Sequence, residues 1–346
     1  MNGGNWAMKW DGIQAEKEFL AAFSAEWQHT LEAYDCPQDQ MNDGSRLRPL
    51  MTLWGYLAAI GDSAPDFFYI ARVSVSVELL HKATVILDDW IDGDNARHGL
   101  AAFHVSYSPE LTAILALHMI SDAILRFRDF TPEIPPIPDF YSHCAELITQ
   151  TIHAMSQGAL MELKLGDNLF DLEHIKHIAH LETAEILGNS MQLGYYSGRG
   201  NEPTVSELFK SIGDRFGYLF QAMNDLEAFA DAEALAIHKG HVNNDFSVSR
   251  KNIAVAMLYN VATAQDQQQI KLRNPSELAQ LMKKYHITQF IEDETEGFYR
   301  SLHRSLQEFQ PELLNPDWVS QFEVFIQKMK LRAYKKLGIF KVRSDT

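Results

Sequence analysis

The sequence has little cysteine, no excess of positive charge and no long apolar run. Its two cysteines, Cys36 and Cys144, are too few for a disulfide framework and lie outside any zinc-type spacing, so we expect a reducing, cytoplasmic setting. The formal net charge of −16 argues against nucleic acid or an anionic membrane as a partner. No stretch approaches the roughly 18 apolar residues of a membrane span, and we expect no targeting signal in residues 1–11.

Apolar residues recur at helical spacing along most of the chain. Residues 67–90 lack Gly and Pro and are far too many for a typical strand of about 4 to 8 residues, so they predict a buried helix. The predicted helices cover about 13–34, 47–60, 67–90, 141–165, 173–197, 205–230, 250–262, 275–306 and 316–337. No strand pair or internal repeat stands out. We therefore expect one all-α domain over residues 1–346, with its core at about 13–306 and a C-terminal helix at about 316–337.

Four carboxylates crowd the end of the helix predicted at 67–90. Asp88, Asp89, Asp92 and Asp94 lie where the negative pole of the helix dipole falls, beside Gly93 as a helix terminator. This arrangement costs free energy unless cations neutralise it. Asp88 and Asp92 share one helix face, and oxygen-only ligands suit Mg²⁺. The spacing predicts a metal site for a diphosphate, and a solvated acidic helix end is the simpler alternative.

Four segments, taken in chain order, resemble the motifs of one enzyme family. Residues 43–49 are similar to G-G-K-R-L-R-P, and residues 78–104 to E-L-x-H-x-A-S/T-L-x-x-D-D-x-x-D-x(4)-R-R-G-x-P-T-x-H. Residues 182–194 are similar to a K-T-A/G helix, and residues 220–225 to F-Q-x-x-D-D. These motifs belong to the trans-isoprenyl diphosphate synthases, or polyprenyl synthetase family. Four matches in the family's order are far more specific than any single one.

The resemblance implies an isoprenoid-synthase-type helical bundle around a central apolar cavity. Two acidic motifs would face each other across the cavity, and Mg²⁺ between them would bind the diphosphate of an allylic substrate, which then ionises. Carried over by position, the metal ligands would be Asp88, Asp89, Asp92, Asn224 and Asp225. The family also implies a homodimer.

The same resemblance assigns residues to the substrates. Arg97 would contact the allylic diphosphate, and the other substrate-binding positions would be Arg48, His81, His98, Thr183, Gln221, Arg250 and Lys251. Ala83 and Thr84, five and four residues before the first Asp, are both small. Small residues there would not block a deep tunnel, which favours a C15 or C20 prenyl chain.

The acceptor site departs from the family pattern. The family holds isopentenyl diphosphate with the Lys and the Arg of G-G-K-x-x-R, a His, and the second Arg of R-R-G. This chain has Ser45, Arg48, His81 and His98 at those positions. A histidine with an ordinary pKa of about 6.5 is mostly neutral at pH 7. We therefore expect an acceptor other than isopentenyl diphosphate, a small molecule or a peptide.

The allylic side departs as well. Glu182 replaces the Lys of the K-T-A motif, and Ala228 replaces the third Asp of the second acidic motif. Asn224 can still ligate a metal through its amide oxygen, and Glu227 or Asp231 is a candidate for the missing ligand. The first motif is intact, so ionisation is expected to survive while the nucleophile differs. The sequence thus predicts a Mg²⁺-dependent prenyltransferase.

Three alternatives stay open. In a terpene cyclase the cation would be attacked by an alkene of its own chain. Asn224 and Asp225 resemble the start of the cyclases' second metal motif, but Ala228 and Ala232 do not match it. An ordinary chain-elongating synthase and a non-catalytic subunit are the other two.

Overall fold

The computed structural model describes residues 10–34, 38–42, 44–97, 99–129, 139–227, 229, 250–308 and 314–336. The helices are α1 (Gly12–Glu32), α2 (Gln38–Met41), α3 (Leu47–Ile60), α4 (Phe67–Asp92), α5 (Phe103–Ser106), α6 (Pro109–Leu125), α7 (Phe140–Glu162), α8 (Leu172–Ala179), α9 (Glu185–Ser197), α10 (Pro203–Glu227), α11 (Ile253–Val261), α12 (Ala264–Lys271), α13 (Pro275–Lys284), α14 (Ile287–Glu308) and α15 (Pro316–Lys336). Two 3₁₀ turns lie at Arg126–Asp129 and Gly166–Phe170, and a π-helical turn at His180–Ala184 joins α8 to α9. The all-α prediction is confirmed.

One small strand pair escaped the sequence analysis. β1 (Ala96–Arg97) and β2 (Leu100–Ala101) form an antiparallel hairpin directly after α4. Gly99, with φ +80°, permits the tight reversal between them. Strands of two residues are too short to leave an alternating pattern, so the expectation of no strand pair was wrong here. The hairpin turns the chain back and places Arg97 beside the end of α4.

The centre of the bundle is the contact between α3, α4 and α9. The backbones of α3 and α9 touch: a Cβ at Gly194 would lie 1.8 Å from the Thr52 carbonyl oxygen, and one at Gly55 would lie 2.0 Å from the Met191 carbonyl oxygen. No side chain fits at either glycine. The apolar middle of α4 is buried against α6, α1, α3 and α9, and this packing fixes the direction in which its acidic end points.

The buried apolar side chains of the described residues form two clusters, the first around α3, α4 and α9, and α10 contributes to both. Phe216 and Leu219 of α10 pack in the first cluster, whereas Ala222 and Met223, one turn further on, pack in the second, together with most of α11. The second acidic motif therefore stands where α10 meets α11. The prediction of a single domain stays a prediction.

Two predicted helix boundaries need correction. The predicted helix at 275–306 is two helices, α13 and α14, separated at His286, whose φ of +54° is left-handed. The helix predicted from residue 250 begins at Ile253, because the Asn252 side-chain oxygen accepts a hydrogen bond from the Val255 amide at 2.9 Å and caps the helix. In the described part of the chain, no helix is long and apolar enough to cross a membrane.

Candidate active site

The three aspartates of the first motif lie in different surroundings on the last turn of α4. Asp88 is exposed, Asp89 is only 3% exposed, and Asp92 is half-buried. Both Asp89 carboxylate oxygens accept hydrogen bonds from Arg97 Nε at 2.9 Å, and Arg97 Nη2 donates to Oδ1 at 2.5 Å. The sequence assigned Asp89 to a metal and Arg97 to the substrate diphosphate. In the structure they neutralise each other.

Asp92 is bound by Arg250, which lies just before α11. Arg250 Nη1 lies 3.0 Å from Asp92 Oδ2, and Arg250 Nη2 donates to the Asp92 carbonyl at 2.6 Å. Asp94 Oδ1 lies 3.6 Å from the same nitrogen. Arg250, which the sequence assigns to the diphosphate, contacts the first acidic motif in the structure, and its predicted role stays a prediction. Among the described residues, no three Asp, Glu, His or Cys side chains converge on one metal position.

Asp88 is the carboxylate that faces the cleft. It is accessible to solvent, yet desolvation by the surrounding protein raises its pKa, with Lys251 and Arg97 opposing the rise. The Asp88 carboxylate is close to Lys251, Arg97 and Glu162, and the cleft is the space between the end of α4 and these side chains. Asp88 makes no hydrogen bond or ion pair with the described residues. It is therefore available to a ligand.

The pair Asp88 and Asp92 carries more negative charge than its neighbours compensate. Burial and then repulsion from Asp88 raise the pKa of Asp92 to about 8, against the opposing effect of Arg250. Two carboxylates one helical turn apart that are both hard to ionise form a place where a divalent cation lowers the free energy. Their oxygen-only chemistry fits Mg²⁺. The metal assignment itself stays a prediction.

The second motif is hydrogen-bonded to the start of α11. Asp225 Oδ2 accepts a hydrogen bond from the Ile253 amide at 2.6 Å, and Asp225 Oδ1 accepts one from Gln221 Nε2 at 2.7 Å. Thr183 Oγ1 donates to Gln221 Oε1 at 3.0 Å. Thr183, Gln221 and Asp225, all predicted site residues, are therefore linked by hydrogen bonds, and the half-buried Asn224 precedes Asp225. Asp225 thereby links the second acidic motif to the start of α11.

A buried ion triad adjoins Asp88. The Lys251 ammonium binds Glu162 Oε2 and lies 2.5 Å from Glu182 Oε2. Burial alone would lower the pKa of Lys251, but Glu182 and Glu162 outweigh it and hold that pKa well above its usual value. Burial raises the pKa of Glu182 to about 7, with Lys251 opposing. The sequence marked Glu182 only as a departure, and it missed Glu162, which lies in no motif.

Four cations surround His81. Burial lowers the pKa of His81 well below its ordinary value, and Arg48, Lys82, Arg97 and Arg46 lower it further. His81 is therefore neutral at physiological pH and can offer a hydrogen bond but no charge. The sequence analysis singled out Arg48 and His81 here and overlooked Arg46 and Lys82. The signal for Lys82 was a charged residue inside the apolar stretch of α4, where it is only 4% exposed.

Arg48 is the cation of this cluster most in need of an anion. Its Nε is buried and has no hydrogen-bond partner in the part of the chain that the structure describes. Burial lowers the Arg48 pKa to about 10, with Glu78 opposing, so the guanidinium stays charged at neutral pH. Arg46, in contrast, is paired with Glu78 and lies over the ring of Trp27 at 5.5 Å.

On α4, Ala83 and Thr84 lie between the cations around His81 and the carboxylates that begin at Asp88. Ala83 is fully buried, and Thr84 Oγ1 donates to the His81 carbonyl at 2.8 Å. Nearer the N-terminus of α4 is a small cavity of about 10 Å³, enough for roughly one water. Its lining residues come from α4, α7 and α9: Val77, Leu80, Leu147, Ile148, Thr151, Ile186, Asn189 and Ser190. His98, Ala228, Asp231 and Ala232 lie outside the described residues, and so does the side chain of Glu227.

Comparison with known proteins agrees with these motifs. The model of the polyprenyl synthetase family matches residues 34–288. A geranylgeranyl diphosphate synthase of Sulfolobus acidocaldarius is 26% identical over 280 residues, covering 77% of this chain and 80% of that enzyme. A geranylfarnesyl diphosphate synthase of Methanosarcina mazei is 23% identical over 188 residues, covering 54% of this chain and 59% of that enzyme. The chain thus spans less than two thirds of this second relative's length.

Solved structures share the fold. A polyprenyl synthase from Caulobacter crescentus CB15, complexed with calcium and isoprenyl diphosphate, superposes with a TM-score of 0.72 at 18% identity, covering 90% of this chain and 94% of that chain. The relatives agree with the prediction of an enzyme of this type. Because the family model matches residues 34–288, well over half of the chain, the chain belongs to the polyprenyl synthetase family.

Proposed function

We propose that this protein is a Mg²⁺-dependent prenyltransferase that ionises an allylic prenyl diphosphate and transfers the prenyl group to an acceptor. The observation that carries the proposal is the accessible, desolvated Asp88 one turn from Asp92, with the cations Arg97, Arg250 and Lys251 close by. Such a site combines ligands for a divalent cation with positive charge for a diphosphate. The names of the relatives, geranylgeranyl and geranylfarnesyl diphosphate synthases, support a prenyl substrate of C15 or longer, with C15 or C20 favoured.

The residues of the chain divide the work of ionisation. Asp88 and Asp92, with Asn224 and Asp225 from α10, would hold Mg²⁺. The metal would neutralise the charge that develops on the departing diphosphate. The cationic side chains near the motif add fixed positive charge, which acts strongly in a desolvated cleft. The apolar helix faces beyond Ala83 would enclose the hydrocarbon tail and exclude water that would quench the cation.

The acceptor is proposed to carry an anionic group. Arg48 supports this, because its Nε is buried without a partner among the described residues and a buried cation favours an anionic ligand. Ser45 and His98 still predict an acceptor other than isopentenyl diphosphate. Ordinary chain elongation is the second candidate, and the same cation cluster, together with the names of the relatives, favours it. The two differ only in which molecule the cations hold.

One assay separates the readings. The full-length protein is incubated with Mg²⁺ and farnesyl or geranylgeranyl diphosphate, with and without isopentenyl diphosphate, and both diphosphate release and products are measured. Longer prenyl diphosphates would establish chain elongation. A hydrocarbon or alcohol from one substrate alone would establish a cyclase. If no diphosphate is released, with or without candidate acceptors, and no Mg²⁺-dependent binding is found, the proposal is wrong.

A homodimer is proposed as the working unit. The exposed face of α6 presents Leu111, Ile114 and Leu117, which are 46%, 63% and 60% exposed. An apolar stripe of this kind on a helix supports association through that face. Light scattering on the purified protein, compared with Ile114→Glu, tests the proposal. A cytoplasmic location stays a prediction of the sequence.

A further inference from the structure

We infer that Glu162 and Glu182 are positioning residues that hold the Lys251 ammonium toward the departing diphosphate. This inference rests on the proposed function and names residues that the family motifs do not assign to it. Glu182 stands where the motif has a lysine, and the ammonium approaches from residue 251 instead. Beside the first acidic motif, this chain therefore places a carboxylate where the motif has an ammonium, and that carboxylate binds Lys251.

The triad is assembled from three separate elements. Glu162 ends α7, Glu182 lies in the π-helical turn, and Lys251 lies two residues before the first residue of α11. Their side chains are 18%, 19% and 12% exposed. Glu162 accepts hydrogen bonds from both the Lys251 ammonium and the Lys251 amide, the latter at 3.1 Å. These contacts fix the backbone and the side chain of Lys251 together.

The ammonium keeps a donor for a ligand. A lysine has three N–H donors, and the two carboxylates occupy two of them. In the described part of the chain no further acceptor takes the third. Lys251 follows Arg250, which is paired with Asp92, and its carboxylate partner Glu182 precedes Thr183, which Gln221 links to Asp225. The ammonium is therefore close to the position of the leaving group.

The surroundings of Glu182 are shaped to fit it. A Cβ at Gly158, one turn before Glu162 on α7, would lie 2.6 Å from Glu182 Cγ, so that glycine leaves room for the carboxylate. The π-helical turn at His180–Ala184 adds a residue to the helix, and such turns are frequent at functional sites. Burying three charges is expensive, and a buried ion pair is weak evidence for a role in stability alone.

In the chemical step, the ammonium would stabilise the negative charge that develops on the departing diphosphate. When the allylic C–O bond breaks, its electron pair goes to the diphosphate oxygen and the positive charge stays on the prenyl carbon. The diphosphate gains negative charge as the bond lengthens, and a fixed N–H donor stabilises that charge more than it stabilises the ground state. Holding the ammonium with two carboxylates avoids the entropy that a free lysine side chain would lose.

The test uses inorganic pyrophosphate, which resembles the leaving group and binds without turnover. Its affinity for the full-length protein in Mg²⁺ is measured by calorimetry for the wild type, for Lys251→Glu, and for Lys251→Glu combined with Glu182→Lys. The single substitution is expected to weaken binding by about tenfold or more. The double substitution is expected to recover most of that loss, because it restores an ammonium between carboxylates.

Two further variants report positioning. Glu162→Gln and Glu182→Gln are each expected to lower kcat for diphosphate release more than they change KM for the allylic substrate. The matched control is Glu16→Gln. Glu16 is a buried carboxylate outside the site, and its Oε2 lies 2.7 Å from Lys328 Nζ. This variant should change only the melting temperature.

The outcomes are distinguishable. If the double variant binds pyrophosphate no better than Lys251→Glu, or if the two Gln variants change only the melting temperature, as Glu16→Gln does, the inference is overturned. An active wild type would leave the proposed function standing in that case. A wild type that releases no diphosphate overturns both.

Discussion

Arg250 and Asp92, 158 residues apart in the chain, form an ion pair that fastens the start of α11 to the end of α4. The next residues continue the pattern. Lys251 binds Glu162 and Glu182, while Asn252 Nδ2 and the Ile253 amide donate to the Asp225 carbonyl and carboxylate. Residues 250–253 thus contact both acidic motifs, and four predictions follow from this arrangement and from the cations around His81.

Asp88→Asn should abolish most of the activity without unfolding the protein. Asp88 makes no hydrogen bond or ion pair with the residues that the structure describes, and its proposed role is to hold a cation that stabilises the leaving group. We expect diphosphate release to fall by about 10²–10³-fold. The matched control is Asp66→Asn at the opposite end of α4, where the side chain caps the Tyr69 amide and Asn caps equally well. If both variants keep full activity, Asp88 has no part in the reaction.

Arg250→Gln should make the stability of the protein depend on Mg²⁺. Removing the guanidinium leaves Asp92 and Asp94 without their buried partner, which costs toward the lower end of roughly 3–5 kcal/mol. A divalent cation at Asp92 would replace part of the lost charge. Thermal unfolding with and without Mg²⁺ should show a larger gain for the variant than for the wild type. Equal gains would mean that Arg250 and the metal do not share a ligand.

Arg48→Gln should affect the acceptor and leave the allylic substrate nearly unchanged. The buried Nε of Arg48 has no partner among the described residues, so its positive charge is available to an acceptor anion. We expect the acceptor KM to rise about tenfold or more, as is typical when one partner of a buried charge pair is lost. Steady-state kinetics with each substrate varied in turn measures this. Arg126→Gln, which breaks a pair with Glu26 elsewhere, is the control and should change neither KM.

His81 should make the protein less stable as the pH falls. Its pKa in the folded protein lies well below the ordinary 6.5, because of burial and the surrounding cations. Below pH 6.5 the unfolded chain therefore binds a proton that the folded protein does not, and the free energy of unfolding decreases by at most about 1.4 kcal/mol per pH unit. Above pH 6.5 this effect vanishes. The free energy of unfolding is measured with urea at pH 5.5, 6.5 and 7.5. It should depend less on pH for His81→Gln than for the wild type, and an equal dependence on pH would contradict the prediction.

Local signals were sufficient for the first acidic motif. The helix through Asp88, its end at Gly93 and the shared face with Asp92 all depend on residues close in sequence. The break at His286 carried no such signal, since neither Gly nor Pro marks it. The environments of Asp89 and Asp92 were not predictable, because their partners Arg97 and Arg250 arrive through a two-residue hairpin and through the packing of α11.

Glu182 shows why a single position is a poor guide to a site. In the sequence it is a lost lysine, and it suggested a weakened diphosphate site. In three dimensions Lys251 lies against it, and Glu162 completes the group from α7. Charge at a site is a sum over elements that meet only after folding. Motif positions considered one at a time therefore record the substitution and miss its compensation.

The carboxylate of Asp225 anchors the first amide of α11. If Asp225 ligates a cation as proposed, the cation would draw electron density from this carboxylate and weaken the hydrogen bond to the Ile253 amide. Cation binding and the fraying of α11 would then be thermodynamically linked. The Ile253 amide proton then reports on ligation from a distance. Its rate of exchange with deuterium should rise when a cation binds at Asp225, so that this one amide reports whether the second acidic motif is occupied.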